Sequence, residues 1–198
     1  MNVCWSMRLA CAAALAAIAM MLTAPRVSAQ DAQRGAEEEM PSLQDSCQGY
    51  VQDFYNWYVA GLNSDTFLEK RDATWVRAVK IHKSEFSAEL AEAIEKDGKA
   101  QAKHTGEIVG LDFDPFLGAQ DRDDRYVTGF VKVNGNACRV EMFGYANDEK
   151  REDSNVTAEL NWDGKRWTLV NFRYPSKGKG NDEGEDLLSV LKAQRKRK

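Results

Sequence analysis

The segment LDFDPFLGAQD, residues 111–121, concentrates side chains that could do chemistry. Asp112, Asp114 and Asp121 offer hard oxygen ligands, which suit Ca²⁺. An EF-hand needs glycine at its sixth position, and the sixth residue counted from Asp112 is Leu117, so that template fails and only an irregular calcium loop stays open. Carboxylates two residues apart in a proline turn are badly placed to oppose each other across a sugar ring, which argues against a glycosidase pair.

The same segment also has the composition of a tightly built turn. An aspartate before proline starts turns, because its side chain bonds nearby backbone N–H groups and proline fixes φ. Phe113, Phe116 and Leu117 would anchor such a loop in the core. The sequence therefore favours a structural loop. The alternative is a partner-binding loop, formed by Asp112, Asp114, Phe116, Gln120 and Asp121.

Other patterns of catalytic residues are weak. His82 and His104 lie in polar segments and are expected at the surface. The chain shows no zinc-protease, nucleophile-elbow or phosphate-loop motif. One pocket remains a candidate, in which Asp53 would pair with Tyr50 or Tyr58, although helical spacing puts Asp53 on the flank. We therefore expect no cofactor and leave enzymatic activity uncertain, with a non-catalytic role favoured.

Residues 1–29 have the features of a cleaved secretory signal. Arg8 supplies the positive end, residues 9–24 form an apolar run, and Val27-Ser28-Ala29 has the small residues that signal peptidase reads. The run is about 16 residues, shorter than the roughly 20 of a membrane-spanning helix. No cysteine follows it, so a lipid anchor is not expected. The prediction is a periplasmic or secreted protein.

Cysteine usage agrees with export. Cys4 and Cys11 would leave with the signal, and Cys47 and Cys138 would remain. Two cysteines in an exported chain favour a disulfide. It would close a loop of about 90 residues and stabilise the fold by about 4 kcal/mol in the chain-entropy argument.

Charge and length limit the class of protein. The chain carries a net charge of −4, and loss of Arg8 and Arg26 with the signal makes it more acidic. An acidic chain has no overall positive potential that would attract nucleic acid. The basic tail at residues 192–198 suits a solvated helix end better than an anionic envelope surface. We expect a disordered lead-in at 30–43 and one domain at 44–195.

Apolar spacing predicts helices first. One helix places Cys47, Val51, Phe54 and Tyr58 on one stripe, with Asp45 or Ser46 as its cap. Thr66 and Glu69 form a capping box for a short second helix, and residues 71–83 are ambiguous. A further helix starts at Ser84 and ends or weakens at Asp97-Gly98. A closing helix has its apolar side formed by Leu187, Leu188 and Leu191.

Period-two alternation after Asp124 predicts two hairpins, with turns at Asn134-Gly135 and Asp163-Gly164. In the first, Val131 would oppose Cys138, which shares its face with Val127, Val140 and Met142. In the second, a two-residue turn would place Leu160 opposite Trp167, and a four-residue turn would change the partners but keep both residues on the same face. The other face of the last strand would carry Val170, Phe172 and Tyr174. The helix carrying Cys47 would lie on the sheet so that the two sulfurs meet. The fold class is α+β, with N-terminal helices on a curved four-stranded antiparallel sheet and a C-terminal helix.

Four segments in this order carry a family resemblance: VQDFYNWYVAGL (51–62), FSAELAEAI (86–94), DPFLGAQD (114–121) and WTLVNFRYP (167–175). Together they resemble an exported bacterial family classed as a domain of unknown function, number 3828 in that series. The layout is similar to the nuclear-transport-factor-2-like cone. The resemblance implies a signal-bearing periplasmic protein and brings no activity or catalytic residues. This chain lacks the lipid-attachment cysteine of the lipoprotein members.

These observations predict a non-catalytic periplasmic binding or accessory protein, with inhibitor or immunity proteins as one sub-class. Its partner would be a protein or an envelope component. The alternatives are a small-molecule enzyme of the cone type and a calcium-binding envelope protein. Asn155-Val156-Thr157 also fits the N-glycosylation pattern.

Overall fold

A computed structural model describes residues 41–64, 72–104, 109–176 and 184–196. All of these residues belong to one compact unit, Met40–Lys198. The expected signal, the lead-in up to residue 40 and the capping box at Thr66 lie outside the described residues. Within the described ranges, no helix has the length and apolar character needed to cross a membrane.

Four helices and one 3-10 turn are described: α1 Leu43–Leu62, α2 Thr74–Ile81, the 3-10 turn Lys83–Glu85, α3 Ala88–Gln101 and α4 Leu187–Lys196. The expected caps were wrong. Ser42, not Asp45 or Ser46, accepts a backbone N–H at the start of α1, and Ser87, not Ser84, does so for α3. The ambiguous stretch after residue 71 forms α2, and α1 begins one residue before the predicted domain boundary.

Helix α3 runs through Asp97-Gly98 and does not end there. The glycine serves helix packing, because a Cβ at Gly98 would lie 2.7 Å from Cγ2 of Val76 on α2. Asp97 is buried and accepts hydrogen bonds from Gln101 Nε2 at 2.8 Å and from the Leu111 N–H at 3.2 Å. The Asp-Gly pair therefore joins α3 to its neighbours.

The strands are β1 Arg125–Asn134, β2 Ala137–Ala146, β3 Glu149–Lys150, β4 Val156–Trp162 and β5 Trp167–Arg173. They form one antiparallel sheet in the order β1-β2-β4-β5, and β3 adds two residues beside β2. The predicted α+β class and the two hairpins are confirmed. The short β3 is an addition to the four strands expected.

The first hairpin turn differs from the prediction, and the second has the longer of the two turns considered. Asn134 pairs with Ala137, so the turn residues are Gly135 and Asn136. This slip makes Val133, not Val131, the partner of Cys138, but a shift of two positions keeps Val131 on the core side. The second hairpin has the four-residue turn, in which Trp162 pairs with Trp167 and Leu160 with Leu169.

Two β-bulges reverse the predicted faces of two residues. The register shifts between Thr128 and Val131. Val127 therefore pairs with Phe143 on the outer face of the sheet, whereas it was predicted on the same face as Cys138. The register also shifts beside Leu160, which brings Phe172 onto the buried face. One extra residue in a strand inverts the alternation beyond it, and that is why the two predictions were wrong.

The disulfide between Cys47 and Cys138 is confirmed, and both residues are buried. It joins α1 to β2 across the interface of the helix and the sheet, as the two apolar stripes required. The closing helix also packs as predicted, with Leu187 and Leu191 buried and Leu188 partly buried. The core therefore lies between the inner sheet face and the helices.

Candidate functional site

The segment 111–121, called the Asp-Pro loop below, is closed by hydrogen bonds around Asp114. Its Oδ1 accepts the N–H groups of Phe116 at 2.9 Å and Leu117 at 3.2 Å, as expected of an aspartate turn. Its Oδ2 accepts the hydroxyl of Tyr58 on α1 at 2.6 Å. The backbone N–H of Asp114 donates to the Ala119 carbonyl at 3.0 Å, which closes the loop. The carboxylate thus faces inward and holds the loop to α1.

Phe116 inserts into the core from this loop. Its ring centre lies 5.2 Å from that of Tyr58 and 4.9 Å from that of Phe172. Its carbonyl accepts the Tyr55 hydroxyl at 2.6 Å. Tyr174 donates to the neighbouring Pro115 carbonyl at 3.1 Å. The loop is therefore part of the hydrophobic core on one side.

The other side of the loop borders a cleft of about 230 Å³. Its apolar wall includes Leu62, Phe113 and Leu117. Its polar and aromatic lining consists of Thr74, Trp75, Asp112, Asp114, Gln120 and Arg122. The indole N–H of Trp75 is buried without a hydrogen-bond partner among the described residues. The cleft therefore combines an aromatic side chain, opposite charges and an amide.

The structure brings together part of the predicted binding loop. Asp112, Asp114 and Gln120 line the cleft. Phe116 is fully buried in the core, and Asp121 is exposed outside the set of lining residues. Sequence reasoning missed Trp75, Thr74 and Arg122. Trp75 lay in a segment of ambiguous pattern, where only the presence of a large aromatic residue among basic neighbours marked it.

The residues of the candidate pocket on α1 are directed to different places. Tyr58 is fully buried and donates to Asp114, while Asp53 is exposed. The hydroxyl of Tyr50 is buried without a hydrogen-bond partner among the described residues, and burial raises its pKa. His82 is half-buried, with Nδ1 2.6 Å from Glu85 Oε1. These placements assemble no Asp–Tyr pair at Asp53.

The acidic residues of the loop region diverge. Asp112, Asp121 and Asp124 are exposed, whereas Asp114 faces the core. Asp123 is buried and forms a bidentate ion pair with Arg151, whose Nε lies 2.7 Å from Oδ2. In the described ranges, no three Asp, Glu, His or Cys side chains are grouped to hold a metal ion.

We predict that calcium leaves the melting temperature unchanged. The carboxylates that would share the ion point in different directions, so binding would gain few ligands. The measurement is thermal unfolding in EDTA and in millimolar CaCl₂, with NaCl as the ionic-strength control. Calcium at 100 times the Kd of a binding site would add about 2.7 kcal/mol to the free energy of unfolding. For a chain of this size, that would raise the melting temperature by roughly 5–10 °C. A rise of that size that disappears in Asp112→Asn would contradict the prediction.

Asn155 of the glycosylation pattern is engaged inside the fold. Its Oδ1 accepts the Gly144 N–H at 2.7 Å, and its Nδ2 donates to Asp123 at 3.1 Å. A Cβ at Gly144 would lie 1.8 Å from Asp123 Oδ2, so the contact needs glycine. A glycan on Nδ2 would compete with the bond to the buried Asp123–Arg151 pair.

Burial raises the pKa of Asp114 to about 6 from 3.8, and the bonds from Tyr58, Phe116 and Leu117 offset only part of that effect. Between these values the folded chain binds more protons at this carboxyl than the unfolded chain does. The contribution of Asp114 to stability is therefore present below pH 3.8 and is lost as the pH rises through about 6. We predict a loss of about 3 kcal/mol across this window.

The measurement is urea unfolding of the wild type, Asp114→Asn and Asp112→Asn from pH 4 to pH 8. Asn keeps an acceptor for the two backbone N–H groups and does not ionise, so Asp114→Asn should gain stability relative to wild type as the pH rises. Asp112→Asn makes the same charge change at an exposed position and should follow the wild type. A pH-independent difference between wild type and Asp114→Asn would show that Asp114 titrates normally.

Comparisons with known proteins add a structural likeness. No protein-family model matches the chain, and no curated protein matches it. A crystal structure of a protein of unknown function from Bacteroides thetaiotaomicron is similar at 19% identity with a TM-score of 0.44. The match covers 73% of this chain and 95% of that one. A likeness this distant carries no functional argument.

Proposed function

We propose that the protein is an exported, non-catalytic binding protein of the periplasm or the cell exterior. Its partner is a protein or another envelope component, and an inhibitor or immunity role is one sub-class. The partner contacts the cleft beside the Asp-Pro loop. We also propose kinship with the exported domain-of-unknown-function family, on the four segments that resemble it, and with the nuclear-transport-factor-2-like cone.

The observation that carries this proposal is the filled interior. Tyr55, Tyr58, Phe116, Phe172 and Met142 are fully buried between the helices and the sheet. A small-molecule enzyme of the cone type needs a deep apolar pocket in that space, with ionisable groups inside it. Large side chains occupying it support recognition at the surface over enclosed chemistry.

The chemistry of the cleft supports a macromolecular partner. Binding energy at protein interfaces is concentrated in aromatic and arginine side chains, with a polar rim around them. Trp75 and Arg122 supply these types, and Asp112 and Gln120 supply polar groups at the same cleft. The small volume of about 230 Å³ suits one inserted side chain better than a whole drug-sized ligand.

Two features support export. Residues 9–24 have the composition of a signal segment, and the buried Cys47–Cys138 disulfide fits an oxidising compartment. The expected product is a chain that begins after Ala29, which intact-mass measurement on fractionated cells would detect. A full-length mass in the cytoplasmic fraction would contradict export.

The test of binding is site-specific photo-crosslinking in the exporting cell. A photoreactive residue replaces Gln120 in the cleft, and a matched one replaces Lys99, an exposed position on α3. We expect one discrete crosslinked product from position 120 and none from position 99. The product should weaken when Arg122 is changed to Ala. Equal products from both positions, or none in repeated trials, would count against a partner at this cleft.

A further inference from the structure

The turn between β1 and β2 places an asparagine directly before a glycine. Asn134 is the last residue of β1, Gly135 and Asn136 form the turn, and all three are exposed. Gly135 has a φ of +57°, as a type II′ turn requires at its first position. A Cβ on Gly135 would meet no heavy atom within 4 Å beyond its chain neighbours. The space around the peptide bond that joins Asn134 to Gly135 is therefore open.

The side chain of Asn134 is not held by the fold. Among the residues that the structure describes, its amide forms no hydrogen bond. Its backbone pairs with Ala137 in the last pair of the ladder between β1 and β2. Pairs at an exposed end of secondary structure open at little cost in free energy. The backbone of Asn134 can therefore leave the strand conformation without unfolding of the domain.

The turn between β4 and β5 contains a related pair, Asp163-Gly164, but holds its side chain in place. Oδ1 of Asp163 accepts the backbone N–H groups of Lys165 at 2.8 Å and Arg166 at 2.9 Å. These bonds keep the side chain in the turn. A carboxylate is also a poorer electrophile than an amide. Of these two exposed hairpin turns, only the first thus has a reactive carbonyl carbon that is free to move.

A free asparagine amide can react with the backbone nitrogen of the next residue. The nitrogen of Gly135 would attack Cγ of Asn134, so that a bond forms between these atoms and the bond from Cγ to Nδ2 breaks. Nδ2 leaves as ammonia with the proton that Gly135 loses, and a five-membered succinimide ring remains. Glycine favours this step, because no side chain shields its nitrogen.

Water then opens the ring at either of its two bonds to nitrogen. Cleavage of the bond to Cγ gives aspartate. Cleavage of the bond to the backbone carbonyl carbon gives isoaspartate, in which the main chain runs through Cγ. The sequence of steps consumes one water molecule, releases one ammonia molecule and needs no oxidant or cofactor.

We propose that Asn134 is a site of spontaneous deamidation, at which the folded protein forms a mixture of aspartate and isoaspartate through a succinimide with Gly135. The proposal rests on the exposed turn, on the free amide and on the open space beside the glycine. It concerns the end of the first hairpin and not the cleft, so it goes beyond the proposed partner binding and does not depend on it.

The modification changes the turn but not the rest of the fold. In isoaspartate the former backbone carbonyl of Asn134 is a free carboxylate, so the pairing with Ala137 is lost. The adjoining strand stays anchored, because Cys138 is joined to α1 by the disulfide. The N–H of Trp162 also holds the Asn136 carbonyl at 2.7 Å. We therefore expect a protein with one added negative charge and an unchanged circular dichroism spectrum.

The experiment is prolonged incubation of the purified protein in mildly alkaline buffer made with water enriched in heavy oxygen. Ion exchange separates the acidic product, and peptide mass spectrometry with electron-transfer fragmentation distinguishes isoaspartate from aspartate. Asn136 is the internal control, because it is exposed in the same turn but precedes alanine. The variant Asn134→Gln keeps an amide but would have to close a six-membered ring. Wild type unfolded in urea gives the rate without the fold.

We expect Asn134 to convert in the folded protein, with isoaspartate as the major product and one solvent oxygen in each product. Asn136 should convert at least roughly tenfold more slowly, since alanine shields its own nitrogen. Asp163 should form no isoaspartate in the same time, and the acidic product should be absent from Asn134→Gln.

Three results would overturn the proposal. Conversion of Asn134 in urea but not in the folded chain would show that the pairing with Ala137 protects it. Aspartate without isoaspartate would indicate direct hydrolysis of the amide by water instead of attack by Gly135. Equal rates at Asn134 and Asn136 would remove the role assigned to the glycine.

Discussion

Replacing Phe116 with alanine lowers the free energy of unfolding by about 4 kcal/mol, within the range seen for buried phenylalanine. Phe116 is fully buried although it belongs to a loop. Its ring also lies 5.5 Å from Phe54 and 5.6 Å from Phe86, in addition to the contacts with Tyr58 and Phe172. Alanine would leave a cavity among these rings that the surrounding side chains cannot fill.

The measurement is urea or thermal unfolding of Phe116→Ala, and a fall in melting temperature of about 8–15 °C is expected for a chain of this size. Phe130→Ala is the matched control, because it removes the same atoms from a position that is 66% exposed. It should change the stability by less than about 0.5 kcal/mol. Similar small effects of both substitutions would mean that the Asp-Pro loop is not anchored in the core.

Removing the disulfide with the double substitution Cys47→Ala/Cys138→Ala lowers the free energy of unfolding by about 4 kcal/mol. The bridge spans 91 positions, so it excludes many extended conformations of the unfolded chain. Its sulfur atoms also lie where α1 meets β2, so alanine removes buried contacts as well. Both effects act in the same direction.

The entropic part has its own signature. An unfolded chain without the bridge exposes more surface, so the slope m of the urea transition should rise while the midpoint falls. The double variant avoids the lone thiol that either single substitution would leave. Unchanged m and midpoint would show that the bridge adds nothing to stability. Because both cysteines are buried, mild reductant should leave the folded wild type oxidised.

Only part of the candidate site could be predicted from the sequence. Asp-Pro chemistry predicted the turn correctly, since Asp114 bonds to backbone groups two and three residues away. The direction of its second oxygen depends on Tyr58, which is 56 positions away in the chain. Trp75 reaches the same cleft from another helix. Contacts between residues this far apart in the chain cannot be predicted from the local spacing of residue types.

What the sequence alone determined is the part that depends on short-range periodicity and turn residues. The α+β class, the order of helices and hairpins, the core side of Cys138, Val140 and Met142, and the buried leucines of the last helix follow from it. The disulfide also belongs here, because both cysteines lie on apolar stripes that have to face each other.

Only the tertiary structure decided where the two bulges lie and which side chains they turn toward the core or toward the outer face. Gly129 lies against Phe143, where a Cβ would be 2.3 Å from the ring, so the bulged region of β1 is shaped by a side chain on the opposite strand. The bulge in turn places Val127 outside, and a second bulge places Phe172 inside. Alternation is a local rule, but the position of an extra residue is chosen by packing across the sheet. The face of a strand can therefore be predicted only up to its first bulge.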